Sequence, residues 1–250
     1  MQAYWTLARR ELAGYFLSLT GYIVIGAGLF LAGLSFYDLL DALQREPTPM
    51  PVMELFYLTP FFWVILLLTT PIITMRLFAL EKFSGTFETL MTAPVREFEV
   101  VLAKFTAALV FYVVMWLLLL GCLLVVRPYT NDPTALDAGA LGSTFLGILL
   151  LGCLFISAGC CASALTRSQV VAATISLLFG LSLFLLAFLA DHLPVQAGWQ
   201  AEALAYLALF DQMHNFARGV VDSRPIVLFV TLTLFFLFLT LRIVESRRWK

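Results

Sequence analysis

Ser182 and His192 are the residue types that a membrane-embedded hydrolase would use as nucleophile and base. They lie ten positions apart, near the end of one apolar run. On a single helix this spacing spans about 15 Å at 1.5 Å per residue, whereas a nucleophile and its base must lie within hydrogen-bond reach. The HExxH sequence of zinc proteases is absent as well. We therefore expect no catalytic residue in this chain.

Four cysteines could in principle hold a metal ion, but their surroundings argue for packing. Cys122, Cys153, Cys160 and Cys161 all lie inside apolar runs, without a Cys-x-x-Cys pair or a neighbouring histidine. Buried thiols of this kind usually act as small packing residues. We predict no metal site and no cofactor in this chain.

The chain lacks the groups that would let it drive transport by itself. Its six long apolar runs contain no Asp, Glu, Lys, Arg or His, although pumps and ion-coupled transporters usually need such groups inside the membrane. The sequence also has no GxxxxGK[ST] phosphate-binding loop. The chain is therefore expected either to move a substrate with energy from a partner or to act as a passive channel.

A short polar stretch, EKFSGTFETLMTAP at 81–94, interrupts the apolar sequence. Gly85 is a good helix stop and Thr86 a good N-cap for a new helix. Glu88 would lie in the first turn, where the helix dipole favours a negative charge, and Pro94 would end the helix. The segment predicts a helix of about two turns.

This short helix would be amphipathic, with Phe87, Leu90 and Met91 on one face. Helices shorter than about 12–15 residues are marginal in water, so it needs a surface to pack against. That surface could be the membrane interface or an apolar groove in a cytoplasmic partner. An ordinary solvated loop is the remaining interpretation.

Composition places these segments in a membrane protein. The chain has 250 residues, of which 62% are apolar and 12% charged, and its mean hydropathy is +0.96. Soluble domains are about 45–50% apolar and about 25% charged. The six uncharged runs have 17 to 29 residues, and a membrane-spanning helix needs roughly 17–25. We predict an all-α integral membrane protein whose six transmembrane helices lie at about 16–37, 58–77, 100–126, 141–165, 169–190 and 225–244.

The distribution of basic residues predicts the orientation. An even number of spans puts both termini on one side, and 11 of the 15 Lys and Arg residues fall on that side. By the positive-inside rule the N- and C-termini and the loop 80–96 are cytoplasmic. The loop 38–57, with its three prolines, would face outside, and Pro71 would kink the second span.

Two amphipathic segments flank the spans. Residues 1–15 predict an interface helix whose polar, water-facing side carries Arg9, Arg10 and Glu11. The outer segment 191–224 also has helical spacing of polar residues, which would bring Arg218 and Asp222 together as an i, i+4 pair. This pair is a candidate outer gate, and a solvated helix face is its more ordinary interpretation.

The stretch 72–110 resembles the corresponding part of ABC-2 type export permeases. The family pattern combines an acidic-basic pair, a Gly-Thr step, a Glu-x-Leu helix, a Pro-Val turn and a later lysine. The matching positions here are Glu81–Lys82, Gly85–Thr86, Glu88 to Leu90, Pro94–Val95 and Lys104. Phe87 and Ala103 depart from the pattern, which more often has an aliphatic residue and glycine there. FARGVVDSRPIVLF, at 216–229, is similar to the gliding-motility-associated subgroup.

The resemblance implies the ABC-2 type export permease fold and a multi-pass protein of the cell inner membrane. It implies partnership with two ABC ATPase subunits that bind ATP and Mg, a second permease chain of the same or another kind, and membrane lipids, but no nucleic acid. Residues 86–93 would form the coupling helix that seats in the ATPase, braced by the N-terminal helix. The alternative is a passive channel or scaffold without an ATPase partner.

Overall fold

The computed structural model describes residues 2–45, 60–87, 95–126, 138–192 and 209–248, and the remaining residues lie outside the description. The described residues contain no strand. Their helices are α1 (Gln2–Phe16), α2 (Leu19–Arg45), α3 (Pro60–Thr74), α4 (Ala79–Ser84), α5 (Glu97–Val126), α6 (Ala138–Leu165), α7 (Gln169–His192), α8 (Leu209–Ala217) and α9 (Ser223–Arg248).

Six stretches of these helices are long and apolar enough to cross a membrane, so the prediction of an all-α protein with six spans is confirmed. They are Leu19–Asp38, Pro60–Ser84, Glu97–Leu118, Gly139–Leu165, Gln169–Leu189 and Ser223–Ser246. One loop boundary was wrong, because α2 continues to Arg45 instead of giving way to a loop at 38. The good helix formers between 39 and 45 let the helix extend towards the prolines that follow.

Helix α6 is the most enclosed of the six spans and packs against α3, α5, α7, α8 and α9. Two of its glycines allow neighbouring helices to approach closely. A Cβ atom on Gly152 would lie 2.2 Å from the Tyr112 ring, and one on Gly159 would lie 2.2 Å from Thr74 Oγ1. Without hydrophobic driving force between helices in lipid, such small residues set how closely two helices can pack. The central helix is therefore fitted to its neighbours at defined positions.

The second span is interrupted between α3 and α4, at residues 75–78. Pro71 lies inside α3, so the interruption comes four residues after the proline. Ser163 of α6 accepts hydrogen bonds from the backbone N–H groups of Phe78 and Ala79, both at 3.1 Å, and donates to the Met75 carbonyl at 3.3 Å. A side chain from another helix thus satisfies backbone groups that a helix break would otherwise leave unpaired in a buried place.

The short helix α8 lies against α6 at the opposite end from α4. Ser143 donates a hydrogen bond to the Phe216 carbonyl at 2.6 Å, and the Phe216 ring fills the space beside Gly147. Helix α8 ends at Ala217, and Gly219 has a positive φ of 83°. The predicted i, i+4 pair is therefore wrong, because Arg218 and Asp222 do not share a helix. Asp222 instead accepts a hydrogen bond from the backbone N–H of Arg224 at the start of α9.

Candidate coupling site

Helix α1 lies along α5 and brings its charged residues to the end of the second span. The Tyr4 hydroxyl donates to Thr106 of α5 at 2.9 Å, and the Tyr15 hydroxyl donates to the Ile73 carbonyl of α3 at 2.8 Å. The chain then turns sharply into α2, where Gly21 is required because a Cβ there would lie 2.1 Å from the Tyr15 carbonyl oxygen. These contacts fix α1 against two spans. We call this region the α1 end of the bundle.

Four charged side chains meet at the α1 end, and we call them the charge cluster: Arg10, Glu11, Glu81 and Lys104. Lys104 Nζ lies 2.9 Å from Oε1 of both Glu11 and Glu81, and Arg10 Nη2 lies 3.0 Å from the same two oxygens. The cluster joins three elements that are distant in sequence, α1, α4 and α5. Its two cations and two carboxylates balance in charge.

Burial makes Lys104 the critical member of the charge cluster. Its side chain is only 2% exposed, whereas that of Arg10 is 57% exposed. A buried ammonium group is tolerated only when it is paired and hydrogen-bonded, and the two carboxylates supply both conditions. The hydrogen bond from Arg10 to Glu11 raises the pKa of the Arg10 guanidinium, with partial burial opposing and the charges of Glu11 and Glu81 adding to the increase. Arg10 therefore stays charged.

Lys82 makes a second connection from α4, in this case to the end of α6. Its Nζ donates a hydrogen bond to the Ala164 carbonyl and lies 5.2 Å from the centre of the Phe87 ring. A cation is favourable at the carbonyl end of a helix and over an aromatic face. Lys82 therefore joins the fourth span to the first residues of the predicted coupling helix.

The helix stop predicted at Gly85 is confirmed, whereas Thr86, predicted as the N-cap of the next helix, is itself helical. Gly85 ends α4 in the left-handed conformation, with φ of 75°, and Thr86 and Phe87 begin a new helical turn. The Thr86 hydroxyl lies 2.8 Å from that of Ser84. The predicted site residues Glu88, Leu90, Met91 and Pro94 lie outside the described residues. The first residue of the segment, Glu81, is itself a member of the charge cluster.

Comparison with known proteins identifies the family. The model of the family described as "ABC-2 family transporter protein" matches residues 32–241, which is most of the chain. The chain belongs to the ABC-2 transporter family. No curated protein matches it. Membership makes the chain a membrane subunit of a transporter, and the family to which the sequence was likened is confirmed at this level.

In this ABC-2 protein the structure brings together residues that the sequence analysis assigned to two separate sites. Arg10 and Glu11 were predicted as an interface helix, and Glu81 and Lys104 as part of the coupling segment; all four form one cluster. Arg9, predicted with them, is exposed. Sequence reasoning missed Ser163 and Arg76, although a serine and a cation in otherwise apolar surroundings were signals that could have drawn attention to both.

Proposed function

We propose that this chain is the permease subunit of an ATP-driven ABC-2 exporter in the cell inner membrane. In this proposal two separate ATPase subunits bind ATP and Mg, and their movement reaches the permease through residues 86–93. A second permease chain completes the translocation path, and the outer residues Arg218 and Asp222, which do not share a helix, are separate candidates for its gate. Membership of the gliding-motility subgroup stays a prediction.

The observation that carries the proposal is the set of connections around α4. The charge cluster joins α4 to α1 and α5, and Lys82 joins it to α6. Force applied to the segment just after Gly85 would reach three helices through charged contacts instead of being lost in a flexible loop. A passive channel has no evident need for such a rigid attachment at one cytoplasmic loop.

An exposed aromatic residue of the polar segment lies at the end of the second span, just before Gly85. Phe83 of α4 is 78% exposed, although its neighbour Lys82 is buried. A large apolar side chain near a coupling segment offers the kind of anchor that protein interfaces bury at their centre. In the proposed assembly Phe83 contacts the ATPase together with the helix that follows.

Two substitutions in the segment test the proposal. Glu88→Lys and Thr86→Pro are expected to leave membrane insertion intact but to abolish ATPase co-purification and coupled ATP hydrolysis. Reversing one interfacial charge costs about 2 kcal/mol or more, which corresponds to roughly thirtyfold in affinity. The measurement is the amount of ATPase retained with tagged permease, together with the hydrolysis rate of the complex.

Glu245→Lys is the matched control, because it makes the same charge change in α9, outside the segment. Glu245 pairs only with nearby Arg242, three residues before it, among the described ion pairs. The control should retain the ATPase. Equal retention by all variants would contradict the coupling proposal, and absence of any ATPase from the wild-type complex would favour the channel or scaffold alternative.

A further inference from the structure

A cavity of about 250 Å³ lies beside the charge cluster, between the α1–α2 turn, the interrupted second span and α5. Its polar wall includes Ser18, Thr20, Arg76 and Glu81, and its apolar wall includes Ile72 and Leu80. Both apolar side chains are partly exposed on the outside of the bundle. The cavity therefore combines a charged interior with an edge that suits hydrocarbon.

Two buried polar atoms of this wall have no hydrogen-bond partner within the described part of the chain. One is the donor Nε of Arg76, and the other is the acceptor Oε2 of Glu81. Buried polar atoms are nearly always paired, and an unpaired one costs about 1–3 kcal/mol. A ligand that offers an acceptor to Arg76 and a donor to Glu81 would satisfy both.

The charge balance of the cavity favours an anion. Glu11 and Glu81 are already neutralised by Arg10 and Lys104 within the charge cluster. The contact that the structure gives Arg76 is to a neutral group, because its Nη1 donates to the Thr20 hydroxyl at 2.7 Å. The guanidinium of Arg76 is thus the surplus positive charge, and guanidinium groups match phosphate oxygens in geometry.

We propose that this cavity binds a phosphate ester that carries its own hydrogen-bond donor, such as a glycerol phosphate group. The phosphate accepts from Arg76 Nε, and a ligand hydroxyl donates to Glu81 Oε2. Pockets for drug-sized molecules are about 300–1,000 Å³, so this smaller volume suits a headgroup and not a whole lipid. If the group belongs to phosphatidylglycerol, the acyl chains lie outside along Ile72 and Leu80.

The experiment measures binding to the full chain in neutral detergent by native mass spectrometry. The probes are dioleoyl-phosphatidylglycerol, dioleoyl-phosphatidylcholine, which has no headgroup donor, and water-soluble glycerol 3-phosphate. Wild type should prefer phosphatidylglycerol to phosphatidylcholine. Arg76→Gln should weaken that binding at least about tenfold, since a charged hydrogen bond is lost. Arg242→Gln, which removes an exposed arginine elsewhere, should bind as wild type does.

A second pair of variants tests the cavity without removing any charge. Gly14 lines the cavity, and a Cβ there meets no atom within 4 Å, so Gly14→Leu should fill the space and prevent binding. Gly26→Leu is the control, because Gly26 has the same free space but does not line the cavity. If Arg76→Gln does not fold, the comparison of lipid binding by Gly14→Leu and Gly26→Leu still tests whether the cavity is the binding site.

The probes also distinguish the source of the phosphate ester. Displacement of phosphatidylglycerol by millimolar glycerol 3-phosphate would show that a soluble ester suffices, and lack of displacement would assign the site to a lipid. Both results support the proposal when Gly14→Leu abolishes binding. Equal binding of the two lipids with no glycerol 3-phosphate bound, or wild-type binding by Gly14→Leu, would overturn it.

Discussion

Replacing Lys104 with methionine is expected to lower the free energy of unfolding by about 3 kcal/mol. Removing one partner of a buried ion pair typically costs about 3–5 kcal/mol, and the lower end applies because Arg10 still contacts both carboxylates. Methionine has nearly the length of lysine but no charge. The decrease in the free energy of unfolding therefore comes from the lost ammonium group and not from a cavity. The measurement is denaturant titration of the purified protein in mixed micelles, with the helical signal in circular dichroism as the readout.

Arg242→Met provides the matched control for this prediction. The Arg242 side chain is 63% exposed and contacts Glu245 at 2.9 Å. Exposed ion pairs contribute about 0–1 kcal/mol, so the control should remain close to the stability of the wild type. If Lys104→Met were as stable as Arg242→Met, the charge cluster would not hold the α1 end together, and the route proposed for coupling would lose its basis.

Gly159→Leu is expected to have an equally large effect, through sterics alone. Even the first added atom would lie 2.2 Å from Thr74 Oγ1 and 2.7 Å from Thr74 Cβ, inside the contact between α6 and α3. Overpacking a well-packed core costs about 1–3 kcal/mol and sometimes more, and threonine cannot easily rotate away because its χ1 is restricted. We expect a loss of about 3 kcal/mol or failure to yield a monodisperse protein.

Gly142→Leu is the control on the same helix, because a Cβ on Gly142 meets no atom within 4 Å. Size-exclusion chromatography and the same denaturant titration should separate the two variants clearly. A Gly159→Leu protein with the stability of the Gly142→Leu protein would mean that α3 and α6 do not cross as closely as the structure has them.

The six spans were predictable because the thickness of the hydrocarbon layer sets how many consecutive uncharged residues a spanning helix needs. Charged residues such as Asp137 and Arg167 mark where a helix must leave hydrocarbon, so counting between them gives the number of spans. The end of α4 at Gly85 was predictable for a similar reason, since a left-handed position strongly favours glycine. Local chemistry decides both features.

The contacts between helices were not predictable in the same way. Glu81 is 71 residues from Arg10, and Lys104 is 93 residues from Glu11, so no local pattern joins them. Ser163 lies 85 residues from the backbone N–H of Phe78 that it accepts from. The resemblance to known permeases singled out two members of these contacts, Glu81 and Lys104, but only the packing of α1, α4 and α5 brings them together with Arg10 and Glu11.

Helical spacing also led to one wrong pair. The helical spacing of polar residues after Asp211 continues through Arg218 to Asp222. The prediction extended the helix across Gly219, which lies between these two residues. Gly219 adopts a positive φ, which ends the helical path and redirects the chain into α9. Periodicity describes which face a residue would take on a helix, whereas a single backbone conformation decides whether the helix continues.

The most direct test of the account is photo-crosslinking from α4 in native membranes. A benzoyl-phenylalanine replaces Phe83, and a second variant carries it at Tyr37 of α2, which is 69% exposed and serves as control. We predict that the Phe83 position crosslinks to a protein containing a GxxxxGK[ST] loop and that the Tyr37 position does not. Crosslinks from Phe83 to lipid alone, with no such protein captured, would contradict the claim that this permease takes its motion from an ATPase at that segment.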